Sequence, residues 1–105
     1  MKLMTKGLIN KLPPLYSNEL KEAKDTPIVA KFFDPCGSWT WYATEGEVQE
    51  SGDIMFYGYV RGFHNEPGYF MLSELESIKR PFGLGIERDI HFGKRMLSEA
   101  MASQI

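Results

Sequence analysis

The chain opens on a short amphipathic pattern. Leu8 and Leu12 lie four residues apart with Ile9 beside them, and Thr5 stands where its hydroxyl can cap the first turn, so a helix is expected over 6–11. Pro13 and Pro14 end it, because a proline also drives the residue before it out of the helical region. Leu15 and Tyr16 read as an extended segment pinned to the core, and 17–26 as a polar loop or one marginal turn. From residue 28 the period changes to two. Ile28 to Phe33 is β-branched and aromatic, bounded by Pro27 and by the turn formers Asp34-Pro35-Cys36-Gly37. Ser38 to Thr44 alternates Trp39, Trp41 and Ala43 against Thr40, Tyr42 and Thr44, which sets both tryptophans on one face. Glu45 to Gly52 is polar with two glycines and reads as a hairpin loop. Asp53 to Gly62 alternates again, His64 to Gly68 reads as a turn, and Tyr69 to Leu72 as a short fourth strand.

Ser73-Glu74-Leu75-Glu76 has the spacing of a capping box, a serine hydroxyl and a glutamate three residues on satisfying each other's free backbone donors. The helix it predicts is short, since Pro81 closes it. Ile86 to Phe92 alternates as a fifth strand, and Met96 to Ala102 has helical composition close to the end, where fraying is expected. The order of elements predicts a single α+β domain over 1–105, with one antiparallel sheet of about five strands in a meander and short helices packed on one face.

Composition narrows the class. The chain is 43% hydrophobic and 25% charged, as a folded domain is. One cysteine, Cys36, rules out an internal disulfide and a multi-cysteine zinc site. No run approaches the ~18 apolar residues of a membrane helix. The first residues lack the apolar core of a secretory signal, so a cytoplasmic place is expected. The net charge of −2 argues against a dedicated nucleic-acid binder. Its distribution is uneven: residues 1–31 hold six lysines against three acids, 32–78 eight acids against Arg61 alone, and 79–105 five cations against three acids.

Few residues suggest chemistry. Glu87, Asp89 and His91 would share one face of the fifth strand, with the outer two about 7 Å apart, room for a divalent metal, although alternation places polar residues there in any case. His64 with Glu66 lacks a reactive partner, Cys36 lacks a histidine, and Gly83-Leu84-Gly85 lacks the lysine and helix of a phosphate loop. No catalytic residue, metal or cofactor is assigned. The better candidates are binding groups: the acids Glu45, Glu47, Glu50 and Asp53 in the longest loop, and Tyr42, Tyr57 and Tyr59 on the second sheet face, either covered by a helix or left as a sticky patch.

Four segments in order are Leu12-Pro13-Pro14-Leu15-Tyr16, Trp39 to Gly46 (WTWYATEG), Gly68 to Leu75 (GYFMLSEL) and Gly83 to Asp89 (GLGIERD). They resemble an uncharacterised bacterial family of about this size, carried on plasmids, phages and other mobile elements near antirestriction genes. The resemblance implies a small accessory protein that counters a host defence by binding, of the kind that includes inhibitors of Cas9. It brings no catalytic residue to carry over. The implied partner is a protein such as Cas9 or its guide-RNA complex, met by a monomer or weak dimer with no membrane contact. A nucleic-acid module using Lys6, Lys11, Lys21, Lys24, Lys79, Arg80, Lys94 and Arg95 is one rival reading. A small metal-dependent enzyme on the Glu87-Asp89-His91 face is the other.

Overall fold

A computed structural model describes residues 1–105. The sheet is antiparallel throughout and has five strands: β1 (Ala30–Phe33), β2 (Thr40–Val48), β3 (Ile54–Arg61), β4 (Asn65–Met71) and β5 (Glu87–Arg88), in the order β4-β3-β2-β1-β5. The first four form the meander that the alternation implies. The chain then crosses beneath the sheet through α2 (Leu72–Ser77) to lay β5 against β1. The other helices are α1 (Lys6–Lys11) and α3 (Leu97–Met101).

Alternation fixes the first face. Ala30, Phe32, Trp41, Ala43, Ile54, Phe56 and Phe70 point into one cluster, closed from below by Leu3, Met4, Leu75 and Ile86. Phe32 and Phe56 are fully buried and tilt against each other at 5.6 Å between ring centroids, each burial contributing roughly 1.5–3 kcal/mol. Trp39 stacks beside Trp41 at 5.8 Å, so the tryptophans share a face. α1 packs Leu8, Ile9 and Leu12 on this cluster, with the Thr5 hydroxyl accepting from the Leu8 N–H at 3.2 Å.

The second face is not bare, and the helices are not all on one side. Tyr42 and Tyr59 lie buried with Ile28 beneath Ala100 of α3, flanked by Phe92, Leu97 and Ile105. The short tail is pinned rather than frayed. Arg61 rises from β3 over the Tyr42 ring at 5.4 Å and donates to the carbonyls of Ala100 (2.6 Å) and Ile105 (2.8 Å), and the Tyr42 hydroxyl donates to the same Ile105 oxygen. Cations at a helix C-terminus meet its unsatisfied carbonyls, which is why one arginine can hold so short a helix.

Four boundaries differ from the expectation. β2 runs on to Val48 through a bulge at Thr44, since Glu45, Glu47 and Val48 resume pairing with Tyr57, Met55 and Ile54. The hairpin turn is therefore only Gln49–Asp53, closed by the Gln49 N–H to the Asp53 carbonyl at 2.8 Å. β4 begins at Asn65, because an edge strand tolerates Pro67. β5 stops at Arg88: the Asp89 N–H still donates to the Lys31 carbonyl at 3.0 Å, and the chain then turns at Ile90 and His91.

Helix α2 is not capped by Ser73. Pairing of Met55 with Met71 carries the strand to Met71, so the helix starts two residues earlier than a Ser73 cap would place it and Ser73 falls inside it. Glu74 Oε1 accepts the Met71 N–H at 2.9 Å, and Asp53 Oδ1, from the other hairpin, accepts the Ser73 N–H at 3.0 Å. The Ser73 hydroxyl donates to the second Asp53 oxygen.

Two outcomes follow from these contacts. Gly58 and Gly68 face each other across β3 and β4, yet a Cβ at Gly58 would collide with the Tyr42 carbonyl beside the bulge, while at Gly68 it meets open space. Gly58→Ala is expected to cost about 3 kcal/mol in denaturant unfolding, and Gly68→Ala far less. Equal effects would contradict the close approach. The Ser73 hydroxyl, helped by the N–H groups of Ile54 and Ser73 and opposed by burial, holds the Asp53 carboxyl below its ordinary value. A depressed acid contributes stability above its unfolded pKa and loses it as pH falls through the folded one, here below about pH 4. Ser73→Ala should therefore flatten the acid limb of the stability curve, and an unchanged limb would count against the contact.

Candidate functional site

The bulge at Thr44 turns Glu45 onto the second face, opposite Tyr57. There its carboxylate is only 3% exposed and joins none of the four ion pairs. Its partners are main-chain donors from a segment nearly thirty residues earlier. Oε1 accepts the Tyr16 N–H at 2.7 Å and Oε2 the Asn18 N–H at 2.9 Å, while the Asn18 side-chain amide donates to the Thr44 carbonyl at 3.3 Å. Two charge-assisted bonds hold Tyr16 at φ 73°, a left-handed conformation that a bulky residue adopts only where its surroundings enforce it. The Gly46 N–H donates to the Pro13 carbonyl at 3.0 Å and fastens the same turn one residue further along.

Held in this way, Tyr16 forms one wall of a groove of about 560 Å³. Its floor is the sheet: Tyr57 and Tyr69 are register partners whose rings meet edge to face at 4.8 Å, beside Tyr59 and Pro67. Leu97 and Met101 of α3 close the far side. Tyr16 is 64% exposed, Tyr69 51% and Met101 52%, so much of the lining is aromatic or apolar surface turned to water. The Tyr69 hydroxyl is pushed up to about 12, first by its hydrogen bond to Tyr16, then by burial and by the neighbouring Tyr16, Tyr57 and Glu45. It stays protonated across the physiological range.

The candidate residues divide. Glu45 is a buried anchor and not an open acid, and Asp53 is engaged with Ser73 at the start of α2. Glu47 and Glu50 stand exposed. Tyr42 and Tyr59 are covered by α3, and burial raises the Tyr42 hydroxyl although Arg61 opposes this. Tyr57 alone of the three remains half-open. The sequence reading missed Tyr16, Tyr69, Leu97 and Met101. The pairing of Tyr69 with Tyr57 was hidden by starting the fourth strand too late, and for Tyr16 no local signal exists.

The rival constellations are not gathered. Asp89 accepts the His91 N–H and faces Lys31 at 3.9 Å, and no three His, Cys, Asp or Glu side chains are grouped to hold a metal. His64 and Glu66 are exposed at the β3–β4 turn and on the edge strand. Among the eight basic residues, Arg80 pairs with Asp34 and Arg95 with Glu99, each at 2.9 Å, and Lys24 approaches Glu22 at 3.7 Å. Lys21 lines the tyrosine groove, whereas Lys11 and Lys94 line a second depression of about 900 Å³ beside β5. They do not form one surface.

Three of the four segments singled out in the sequence supply this groove: Tyr16, Glu45 and Tyr69 each come from a different one. The family described as a protein of unknown function (DUF2958) matches residues 3–103. The chain belongs to the DUF2958 family. No curated protein and no solved structure matches it. No helix of this DUF2958 chain is long and apolar enough to cross a membrane.

Glu45→Ala leaves the part-buried main-chain N–H groups of Tyr16 and Asn18 without their acceptor and is expected to cost about 1–3 kcal/mol of stability, read as a shift of the unfolding midpoint. Glu47→Ala, on the same strand but exposed, should change it little. A wild-type midpoint in Glu45→Ala would show that the carboxylate anchors nothing.

Proposed function

We propose that this protein works by stoichiometric binding of a protein partner, and that the tyrosine groove on the second sheet face is its contact surface. One observation carries the reading: Tyr16, Tyr57 and Tyr69 line a single open groove, in which the buried carboxylate of Glu45 is held by backbone donors and Glu19 stands exposed at the rim. Rigid aromatic anchors in a partly desolvated depression are where binding energy concentrates in protein interfaces. Nucleophilic catalysis would need a paired nucleophile and base, and the groove lining brings no histidine or cysteine beside Glu45.

The setting we propose is the one that the resemblance implies, a mobile-element accessory protein that inhibits a defence nuclease of the Cas9 class in the cytoplasm. Charge supports such a partner. Cas9 holds nucleic acid in positively charged channels, and the sheet that builds the groove also carries the exposed acids Glu47 and Glu66, with Glu50 in the adjoining turn. These acids would speed encounter, and the tyrosines would set residence time.

The test is Cas9 cleavage of target DNA titrated with the protein. Tyr69→Ala should weaken inhibition about tenfold or more through a faster off-rate. Glu47→Gln with Glu50→Gln should slow association and flatten its dependence on salt, leaving the off-rate nearly unchanged. Absence of inhibition at large molar excess would reject that nuclease as the partner. Tighter binding to DNA than to Cas9, with a steep salt dependence, would favour the nucleic-acid module instead.

A further inference from the structure

We infer that the groove between Tyr16 and the Tyr57–Tyr69 pair is a cage for an arginine side chain presented by the partner; this rests on the binding reading above and specifies its chemistry. The first ground is the sheet's own use of the same face. Arg61 lies over the Tyr42 ring at 5.4 Å, a guanidinium on the face of a tyrosine two strands from the edge. Towards the β4 edge the same face presents Tyr57 and Tyr69, and neither ring carries a cation. The face thus holds one tyrosine ring occupied by a cation and, beside it, a pair of rings with none.

Charge is the second ground. Glu45 is buried in the lining with no ion pair, and its two oxygens each accept a single N–H. A carboxylate oxygen has two lone-pair directions, so each keeps one for a further donor. The one cation lining the groove, Lys21, makes no ion pair with it. A negative charge in a partly enclosed space, walled by rings with electron-rich faces, favours a cation over a neutral group. Shape selects the guanidinium. It is planar, weakly hydrated and able to stack on a ring while its edge donates to a carboxylate, which a compact ammonium does less well.

Lys31 and Arg95 do not compete for the place. Lys31 lies over Phe92 and faces Asp89, and Arg95 pairs with Glu99.

The probe is a short blocked peptide, acetyl-Gly-Arg-Gly-amide, titrated into the wild-type protein by two-dimensional NMR beside its citrulline and lysine counterparts. Citrulline keeps the shape of arginine and loses the charge, so this comparison needs no variant. The arginine peptide should shift the resonances of Tyr16, Tyr57 and Tyr69, with the lysine peptide weaker and the citrulline peptide weaker by about tenfold. Tyr69→Leu should lose about tenfold in affinity for the arginine peptide, and Tyr69→Phe, which keeps the ring, should retain most of it. Equal binding of arginine and citrulline peptides, or an unchanged affinity in folded Tyr69→Leu, overturns the inference. If Tyr69→Ala weakens inhibition of the partner while the peptides show no preference for charge, the groove remains the contact surface and the arginine assignment falls.

Discussion

A carboxylate 3% exposed, accepting two main-chain N–H groups and joining no ion pair, is the constraint on which the groove depends. Ionised carboxylates are costly to bury, and charge-assisted bonds to backbone donors offset that cost. The geometry makes the bonds possible only because β2 bulges at Thr44, which carries Glu45 onto the face of Tyr57. Glu45 in turn fixes Tyr16 in a backbone conformation it would not hold alone. Bulge, carboxylate, turn and tyrosine form one chain of dependence, and each step uses residues far apart in sequence.

A second anchor works on the same face with the opposite charge. Arg61 stacks on Tyr42 and takes the carbonyls of Ala100 and Ile105, so α3 is held down where its apolar residues alone offer little area. The two anchors share the tyrosine surface between them. Arg61 helps cover Tyr42 and Tyr59, whereas Glu45 leaves Tyr57 and Tyr69 beside an open wall. Which tyrosines are core and which are surface is thus decided by one arginine and one glutamate.

The architecture was largely legible in the sequence. Two-residue alternation placed Trp39 and Trp41 together and predicted the strands of the meander, because a half-buried strand must separate its faces. Local chemistry misled where tertiary pairing outweighed it. Glu45-Gly46-Glu47 looks like a loop, yet pairing with Phe56 and Tyr57 extends the strand through it. Ser73 has the spacing of a cap, but pairing at Met71 moves the helix start, and Asp53 from another hairpin accepts its N–H. Of the groove, Tyr57 was visible as an outward aromatic. Tyr16 was not, since its position is written in a contact with Glu45 that no window of sequence contains.

The groove's construction is open to one direct measurement. With all five tyrosines labelled as 3-fluorotyrosine, fluorine NMR in the presence of a soluble paramagnetic agent reports which rings meet solvent. Tyr16, Tyr57 and Tyr69 should relax strongly and Tyr42 and Tyr59 weakly, and in Glu45→Gln the Tyr16 line should move most and sharpen as its turn loosens. Strong relaxation of Tyr42 and Tyr59, or a Tyr16 line indifferent to the loss of the carboxylate, would contradict a groove built on Glu45.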